Sequence, residues 1–271
     1  MSAFIHIITT RFNVPTENWA QTRAGHTPLT DEWHEHRFEL FQKYTFPSFK
    51  NQKNKNFVWL VFFDVNTKTK YLQIVRNLQH EFPNFMPVFV RDGGEINAGI
   101  VEIFEKYFQK DTQFVISTDI DNDDFLHEDF LDTIQSLYKP VHNLVIDLRR
   151  GLQMSLIKRN KVLVNEFYAV ANPFVSIIEN VTAFKTIMNE RHTNFRNYQN
   201  VVSYDQKPLF IQLIHSQNLM NATLQTKAFS SINFKEFGIP LEHTPEILIW
   251  KTWSHNFKRL PKIFKRLILR Q

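Results

Sequence analysis

The amino-acid sequence predicts an α/β fold: a Rossmann-like, mostly parallel central sheet flanked by helices, followed by a basic amphipathic C-terminal helical tail. Three apolar runs, at residues 4–9, 57–63 and 114–117, are rich in β-branched and aromatic side chains, as buried strands are. Apolar residues recur at helical spacing between these runs, and strands that alternate with helices form mostly parallel sheets. In such sheets, ligands bind beyond the carboxyl ends of the strands.

Further elements follow from the same periodicities. Apolar residues near helical spacing predict a helix over residues 34–43, which we expect Pro47 to stop. Residues 71–78 are another apolar-periodic stretch, residues 86–90 form a short apolar segment, and residues 96–108 resemble a helix. In the second half, the sequence predicts strands over residues 144–148 and 161–164, and helices over residues 173–188 and 208–218.

The domain organisation follows from length and composition. A chain of 271 residues can bury one substantial core, and no Gly/Ser-rich or Pro-rich linker divides it. We expect one domain over residues 1–249 and a tail over residues 250–271. Because the chain has no cysteine, a metal ion would need oxygen or imidazole ligands, which favours a hard cation. No signal peptide or membrane-spanning segment is recognisable, so we expect a cytoplasmic protein.

Basic charge is concentrated in the tail. The net charge is +5, yet residues 250–271 contain seven basic residues and no Asp or Glu, so the rest of the chain is slightly acidic and does not indicate nucleic-acid binding. Apolar residues recur in the tail at three- to four-residue steps, and Pro261 interrupts the pattern. Such a helix either makes peripheral contact with an anionic membrane or packs on the body as a closing helix, and the sequence favours neither.

Four carboxylates follow the third apolar run within six residues: Asp119, Asp121, Asp123 and Asp124. Their mutual repulsion is costly unless a cation or solvent offsets it. The cluster is a solvated loop, the acidic start of a helix, or a functional site. An EF-hand is excluded, because the required Gly and Glu are missing. Asp-x-Asp after a strand also occurs in phosphatases of the haloacid dehalogenase type and in metal-dependent glycosyltransferases, and its late position in the chain favours the latter.

Several other segments occur together in the order typical of one family. They are residues 8–13 (ITTRFN), Arg37 with Phe41, residues 44–48 (YTFPS) with Gln52, residues 56–59 (NFVW), residues 121–124 (DNDD) with His127, and residues 212–215 (QLIH) with Asn218. This ordered set resembles the rhamnosyltransferase-like family of bacterial GT-A glycosyltransferases. The chain departs from that family at Asp119, where an Arg is expected. The lost positive charge bears on donor and metal preference, so the resemblance does not extend to rhamnose as the sugar.

The resemblance implies a site for a divalent cation, Mn²⁺ or Mg²⁺, beside a nucleotide-sugar donor. Asp123 is the expected direct metal ligand, and Asp121 is expected to be shared between the metal and the ribose. His215, on the helix predicted over residues 208–218, would complete the metal site. We expect Asp123→Ala to abolish metal-dependent nucleotide binding and to leave the fold largely intact, because it relieves carboxylate repulsion.

Other residues are expected to contact the nucleoside. Thr9, Arg11 and Asn13 lie at the end of the first strand, where GT-A enzymes bind it. Asp64 ends the second strand and is suited to accept hydrogen bonds from the base or ribose, although it could equally cap the strand end.

An inverting transfer also needs a carboxylate general base near the acceptor hydroxyl. Asp205 and Glu179 are the candidates, and Asp205 is preferred because it could face the same cleft as His215.

The expected activity is therefore transfer of a sugar from a nucleotide-sugar to a saccharide acceptor of the cell envelope, such as a capsule or lipopolysaccharide chain. Two other functions stay open. One is a phosphatase or nucleotidyltransferase that uses the same carboxylates, and the other is a non-catalytic carbohydrate-binding protein on a GT-A scaffold.

Overall fold

Two β-sheets form the frame of the protein. The structure, a computed structural model, describes residues 4–16, 27–158, 160–216 and 223–268, and of residues 260–268 it describes the backbone alone. Within these residues the fold class predicted from the sequence is confirmed, because a central sheet is flanked by helices.

The first half of the chain builds the parallel part of the central sheet. Its strands are β1 (Phe4–Arg11), β2 (Val58–Asp64), β3 (Phe85–Val90) and β4 (Phe114–Asp119). β1 lies between β2 and β4, β3 lies beyond β2, and all three pairs are parallel. The three apolar runs predicted as buried strands are therefore strands. Their polar end residues, Arg11, Asp64 and Asp119, lie at the carboxyl edge of the sheet.

Helices connect these strands and cover both faces of the sheet. They are α1 (Asp31–Leu40), α2 (Phe46–Lys50), α3 (Thr69–Glu81), α4 (Gly93–Glu105) and α5 (Phe130–Ser136). An aromatic-rich core that includes Phe38, Phe49 and Trp59 fills one face, and the rings of Phe49 and Trp59 stack at 3.6 Å. A separate core that includes Phe104 of α4 fills the opposite face. Successive residues of β1 and β2 contribute to the two cores in turn, as the pleat of a strand requires.

The helix predicted over residues 34–43 is present, but the prediction that Pro47 stops it is wrong. α1 runs into a π-helical turn at Phe41–Thr45 and then into α2 without leaving the helical conformation. Pro47 lies in the first turn of α2, where the missing N–H removes no bond within that helix. The π-helical turn before Pro47 is wider than an α-helical turn, and it accommodates the change in backbone hydrogen-bond pattern between α1 and α2.

The second half of the chain adds strands to both sheets. They are β5 (Phe125–Leu126), β6 (Leu144–Leu148), β7 (Arg150–Lys158), β8 (Lys161–Tyr168), β9 (Ser176–Asn180), β10 (Val201–Tyr204), β11 (Phe210–Ile214), β12 (Ala228–Phe229) and β13 (Glu246–Ile247). The central sheet has the order β10-β6-β9-β4-β1-β2-β3, in which β9 is antiparallel to both neighbours and the other pairs are parallel. The second sheet has the order β12-β8-β7-β11-β5, with β13 beside β8.

Two helices predicted in the second half are wrong. Residues 173–188 contain β9 and the start of a short 3₁₀ turn, and residues 208–216 contain β11. Each strand is a five-residue run that is almost entirely buried, so it lacks the alternation that would mark a strand. The strands predicted over residues 144–148 and 161–164 are confirmed as β6 and the first half of β8.

The tail forms a helix, α6 (Ile249–Ile268), which continues through Pro261 as one element. Its first turns lie beside β8 and β12 of the second sheet. Among the residues that the structure describes, no helix combines the length and apolar character needed to cross a bilayer.

Candidate active site

Three polar side chains meet where the parallel strands β1 and β4 end. Thr9 and Asp119 are paired in register, and Thr9 Oγ1 donates a 2.6 Å hydrogen bond to Asp119 Oδ1. Arg11 Nη2 lies 3.6 Å from Asp119 Oδ2, and both side chains are partly exposed. The extra negative charge of Asp119, at the position where an Arg was expected, is therefore paired with Arg11.

Asp123 is held by two cationic or potentially cationic side chains. Its carboxylate is buried, and Asp123 Oδ2 lies 2.6 Å from Arg37 Nη1 and 2.8 Å from His215 Nε2. Burial alone would raise the pKa of Asp123, but the Arg37 guanidinium and His215 hold that pKa well below its ordinary value. Asp123 is consequently a fixed anion. His215 follows β11 directly, so its predicted position on a helix is wrong, although its predicted proximity to Asp123 is observed.

Arg37 reaches the acidic loop from α1 and connects it to β1. Arg37 Nη1 donates a 2.8 Å hydrogen bond to Asn122 Oδ1. Asn122 Nδ2 donates in turn to the carbonyl oxygens of Arg11 and Phe12, at 3.1 and 2.7 Å. These bonds fix the loop against the end of β1. Arg37 was part of the motifs that carry the family resemblance, but its role as the partner of Asp123 was not predicted from the sequence.

The other two carboxyl groups of the loop, those of Asp121 and Asp124, are less well stabilised in their ionised form. Burial, together with the charges of Asp123 and Asp119, raises the pKa of Asp121 to about 6. Burial and the same kind of repulsion raise the pKa of Asp124 well above its ordinary value, although Asp124 Oδ1 accepts a 2.9 Å hydrogen bond from the amide of Leu213. A nearby positive charge favours the ionised form of a carboxyl group, so this part of the loop is suited to a cation.

A cavity of about 310 Å³ opens beside the acidic loop. Arg11, Asp119, Asp121 and Asp124 line it together with the segments 173–175 and 187–192 and with Phe195. The second of these segments contributes Glu190, whose Oε1 accepts a 3.2 Å hydrogen bond from the Tyr198 hydroxyl. The cavity therefore combines carboxylates from two separate parts of the chain with two arginines, Arg11 and Arg191, and it is large enough for a small polar ligand.

The predicted metal ligands are brought close together but do not form a complete ligand set. His215 and Asp123 are in contact, and Asp121 belongs to the same loop. In the part of the chain that the structure describes, no three His, Asp or Glu side chains are arranged to hold a metal ion. The oxygen and imidazole donors and the raised pKa of Asp121 fit a hard cation. Arg37 already neutralises the charge of Asp123, which weakens the attraction of that carboxylate for a metal ion.

Asn13 and Asp64, predicted to contact the nucleoside, bind elements of their own protein. Asn13 is 1% exposed; its Oδ1 accepts a 3.1 Å hydrogen bond from the Asp64 amide, and its Nδ2 donates at 3.0 Å to Thr67 Oγ1. Asp64 Oδ1 accepts a 2.8 Å hydrogen bond from the Asn66 amide. These contacts give Asn13 a structural role and favour the interpretation of Asp64 as a cap.

The two carboxylates predicted as general bases lie elsewhere. Glu179 is buried in β9, and its two carboxylate oxygens accept 2.9 Å hydrogen bonds from the amides of Lys185 and Thr186. Asp205 follows β10 at the edge of the central sheet, where it is exposed and accepts a 3.3 Å hydrogen bond from the Tyr168 hydroxyl. Neither residue is among the described residues that line the cavity, so both assignments lose their geometric support.

Comparison with solved structures gives distant matches. S. aureus TarS 1–349 in complex with UDP-GlcNAc is 12% identical with a TM-score of 0.45, over 78% of this chain and 59% of that chain. S. aureus TarS 1–349 alone is 13% identical with a TM-score of 0.44, over 78% and 60%. The inositol-1-phosphate CTP transferase from T. maritima is 10% identical with a TM-score of 0.33, over 78% and 89%. The chain thus spans about 60% of the length of the TarS fragment. Comparison with curated proteins gives no match.

A family model described as "Putative rhamnosyl transferase" matches residues 5–227. The matched region contains β1, the acidic loop, the cavity-lining segments and His215. It also contains the ordered motifs on which the resemblance was based, so that resemblance is confirmed. Because the match extends over most of the sequence, the chain belongs to this rhamnosyl transferase family.

Proposed function

We propose that the protein transfers a sugar from a nucleotide-sugar donor to a saccharide acceptor in the biosynthesis of a cell-envelope polysaccharide, a capsule or a lipopolysaccharide. The observation that carries the proposal is the buried acidic loop at the carboxyl end of β4, which opens on a cavity of about 310 Å³ in a chain of the rhamnosyl transferase family. Ligands of α/β sheets bind at this edge, and the cavity volume lies within the range of small-molecule sites.

The donor diphosphate is proposed to bind between Arg11 and the acidic loop. Phosphate and carboxylate groups repel each other, so their approach needs positive charge at the acidic loop itself, beyond that of Arg11 and Arg191, which also line the cavity. We assign this charge to Mn²⁺ or Mg²⁺, held by Asp121, Asp123 and His215. The raised pKa of Asp121 supports the assignment, because its ionised form is stabilised by a cation. When bound, such an ion stabilises the charge that develops on the departing nucleoside diphosphate.

Glu190 is the carboxylate that we assign to the acceptor side of the cavity. An inverting transfer requires a base that takes the proton of the acceptor hydroxyl. Glu190 lines the cavity that Asp121 and Asp124 also line, its side chain is exposed, and the Tyr198 hydroxyl orients it from 3.2 Å. It therefore replaces Asp205 and Glu179 in this role.

The reaction is proposed to take place in the cytoplasm, at the inner face of the cytoplasmic membrane. A polysaccharide acceptor held at that surface would meet an enzyme that binds there peripherally. The large apolar side chains that the first turns of α6 expose, Trp250, Trp253 and Phe257, support this placement.

Thermal unfolding with UDP, GDP and dTDP, each with and without Mn²⁺, tests donor and metal binding. A nucleotide at a hundred times its Kd should stabilise the protein by about 2.7 kcal/mol. Asp121→Asn should remove the Mn²⁺-dependent part of the stabilisation. Asp205→Asn is the matched control, because it alters an exposed carboxylate outside the cavity, and it should retain the full response. No response to any nucleotide would contradict the proposal and favour a non-catalytic carbohydrate-binding protein.

Release of nucleoside diphosphate from the donor, measured with a saccharide acceptor, tests the chemistry. Glu190→Gln should keep the nucleotide response and lower the transfer rate by about 10²–10⁴-fold, the usual contribution of a general base. Phosphate release from simple esters without sugar transfer would instead identify a phosphatase. Release of pyrophosphate from a nucleoside triphosphate would identify a nucleotidyltransferase.

A further inference from the structure

The first turns of α6 present large apolar side chains to solvent. Ile249, Trp250, Trp253 and Phe257 have exposed fractions of 52%, 64%, 69% and 74%. Their spacing of three, four and seven residues places them on one face of the helix. We call this set the α6 stripe. A helix that simply closes a domain buries such a stripe, so the packing expected for an ordinary closing helix does not hold for residues 249–259.

The opposite face of α6 attaches to the body through polar contacts. Thr252 is 1% exposed, and His255 Nε2 lies 2.8 Å from the carbonyl oxygen of Thr226. Asn256 exchanges two 2.9 Å hydrogen bonds with the backbone of Ala228 in β12. Because hydrogen bonds are directional, these contacts fix the rotation of the helix about its own axis. The α6 stripe is thereby held outward by the fold.

Basic residues border the α6 stripe. Lys251 Nζ lies 5.5 Å from the centroid of the Trp250 ring, and Lys258 and Arg259 follow Phe257. The sequence adds Lys262, Lys265, Arg266 and Arg270, with no Asp or Glu after Glu246.

This combination of groups favours one kind of partner. Aromatic rings lie at the headgroup level of a bilayer, and cations beside them contact anionic headgroups. Pairing of two copies through the same face would bring two cationic borders together, which opposes association.

We propose that the α6 stripe docks the protein on an anionic phospholipid surface, with the helix axis in the plane of the membrane. Trp253 and Phe257 enter the boundary between headgroups and acyl chains, and the basic residues contact the headgroups. The surface is separate from the cavity and uses none of its residues. Membrane docking and sugar transfer can therefore fail independently in experiments.

Sedimentation of the full chain with vesicles tests the proposal. We expect binding to vesicles of phosphatidylglycerol and phosphatidylcholine in equal parts, and little binding to phosphatidylcholine alone. Binding should weaken as salt is raised to about 0.5 M, because the Debye length shortens. The double variant Trp253→Ala/Phe257→Ala should bind at least about tenfold more weakly. Leu241→Ala is the matched control, because Leu241 is 72% exposed but lies outside α6, and it should bind as the wild type does.

Two further measurements distinguish membrane docking from misfolding and from self-association. The thermal unfolding midpoint shows whether each variant is folded, and Lys258→Glu, an exposed charge reversal, provides a second variant that should also reduce binding to anionic vesicles. Equal binding of wild type and double variant, or no binding by the wild type, would overturn the proposal. A lipid-free dimer that the double variant converts to a monomer would also overturn it, because the stripe would then be a contact between copies.

Discussion

The buried ion pair between Arg37 and Asp123 predicts a large loss of stability when either charge is removed alone. Arg37→Met keeps the aliphatic stem but removes the guanidinium that lies 2.6 Å from Asp123 Oδ2, and the two side chains are 7% and 6% exposed. The carboxylate would remain buried without that guanidinium, with His215 Nε2, 2.8 Å from Oδ2, as a remaining partner. Since a buried charge is stabilised poorly by solvent, the folded state is raised in free energy relative to the unfolded state.

The magnitude follows from this burial. Removing one partner of a buried ion pair costs about 3–5 kcal/mol of unfolding free energy. At about 2–4 °C per kcal/mol for a chain of this size, the melting temperature should fall by roughly 6–20 °C. Lys50 and Glu81 form a matched exposed pair, 2.5 Å apart with side chains 40% and 52% exposed. Lys50→Met should therefore cost only about 0–1 kcal/mol.

Urea unfolding of Arg37→Met, Asp123→Asn and the double variant measures the coupling between the two charges. With both charges absent, no unpaired charge is left behind, so the double variant should lose less stability than the two single losses added together, by at least about 1.5 kcal/mol. The reasoning would be refuted by additive losses, or by an Arg37→Met loss no larger than that of Lys50→Met. The same pair contradicts the expectation that Asp123→Ala leaves the fold largely intact, because Arg37 would stay buried without that carboxylate.

Two further predictions concern the core. Gly151→Ala would place a Cβ 2.1 Å from the Phe210 ring and should lower the free energy of unfolding in urea by at least about 1–3 kcal/mol. Gly99→Ala has no atom within 4 Å of the added Cβ and should raise that free energy by about 0.5–1 kcal/mol. Equal effects of the two substitutions would contradict this. Burial lowers the pKa of His6 from 6.5 to about 3, so its neutral form stabilises the fold above pH 6.5 and this contribution is lost as the pH falls toward 3. His6→Gln should reduce the fall in unfolding free energy between pH 6.5 and 5 by up to about 1.4 kcal/mol per pH unit, and an unchanged slope would show that His6 does not cause it.

The parallel half of the fold was predictable from the sequence because its signals are local. β1, β2 and β4 are apolar runs that end in polar residues, and the helices between β2 and β4, α3 and α4, show clear apolar periodicity. β9 and β11 carry no such signal. Both are five residues long and nearly all buried, and they become strands because neighbours distant in the chain provide backbone partners. The second sheet joins the local hairpin β7–β8, of which only residues 161–164 were predicted, to β11, β5 and β12 through partners distant in the chain, and those pairings leave no local signal.

The candidate site was likewise predictable from the sequence only in part. The acidic loop was visible as a cluster in the sequence, and the ordered motifs led to His215, which lies 2.8 Å from Asp123. The contact of Arg37 with Asp123 joins residues 86 positions apart, and no spacing rule predicts it. Glu190 lies just beyond the helix predicted over residues 173–188, and no motif in the sequence marked its carboxylate.

The four carboxylates of the acidic loop are compensated in different ways, and this difference bears on what the loop can bind. Asp119 is paired with Arg11, and Asp123 is paired with Arg37 and His215, which hold the pKa of Asp123 below its ordinary value. Asp121 lies between them, with a pKa raised to about 6 by burial and by their charges. A cation bound there would stabilise the ionised form of Asp121, which the protein itself stabilises poorly. Burial and the charge of Asp123 raise the pKa of both Asp121 and Asp124, so added positive charge is favoured at these two carboxyl groups of the loop.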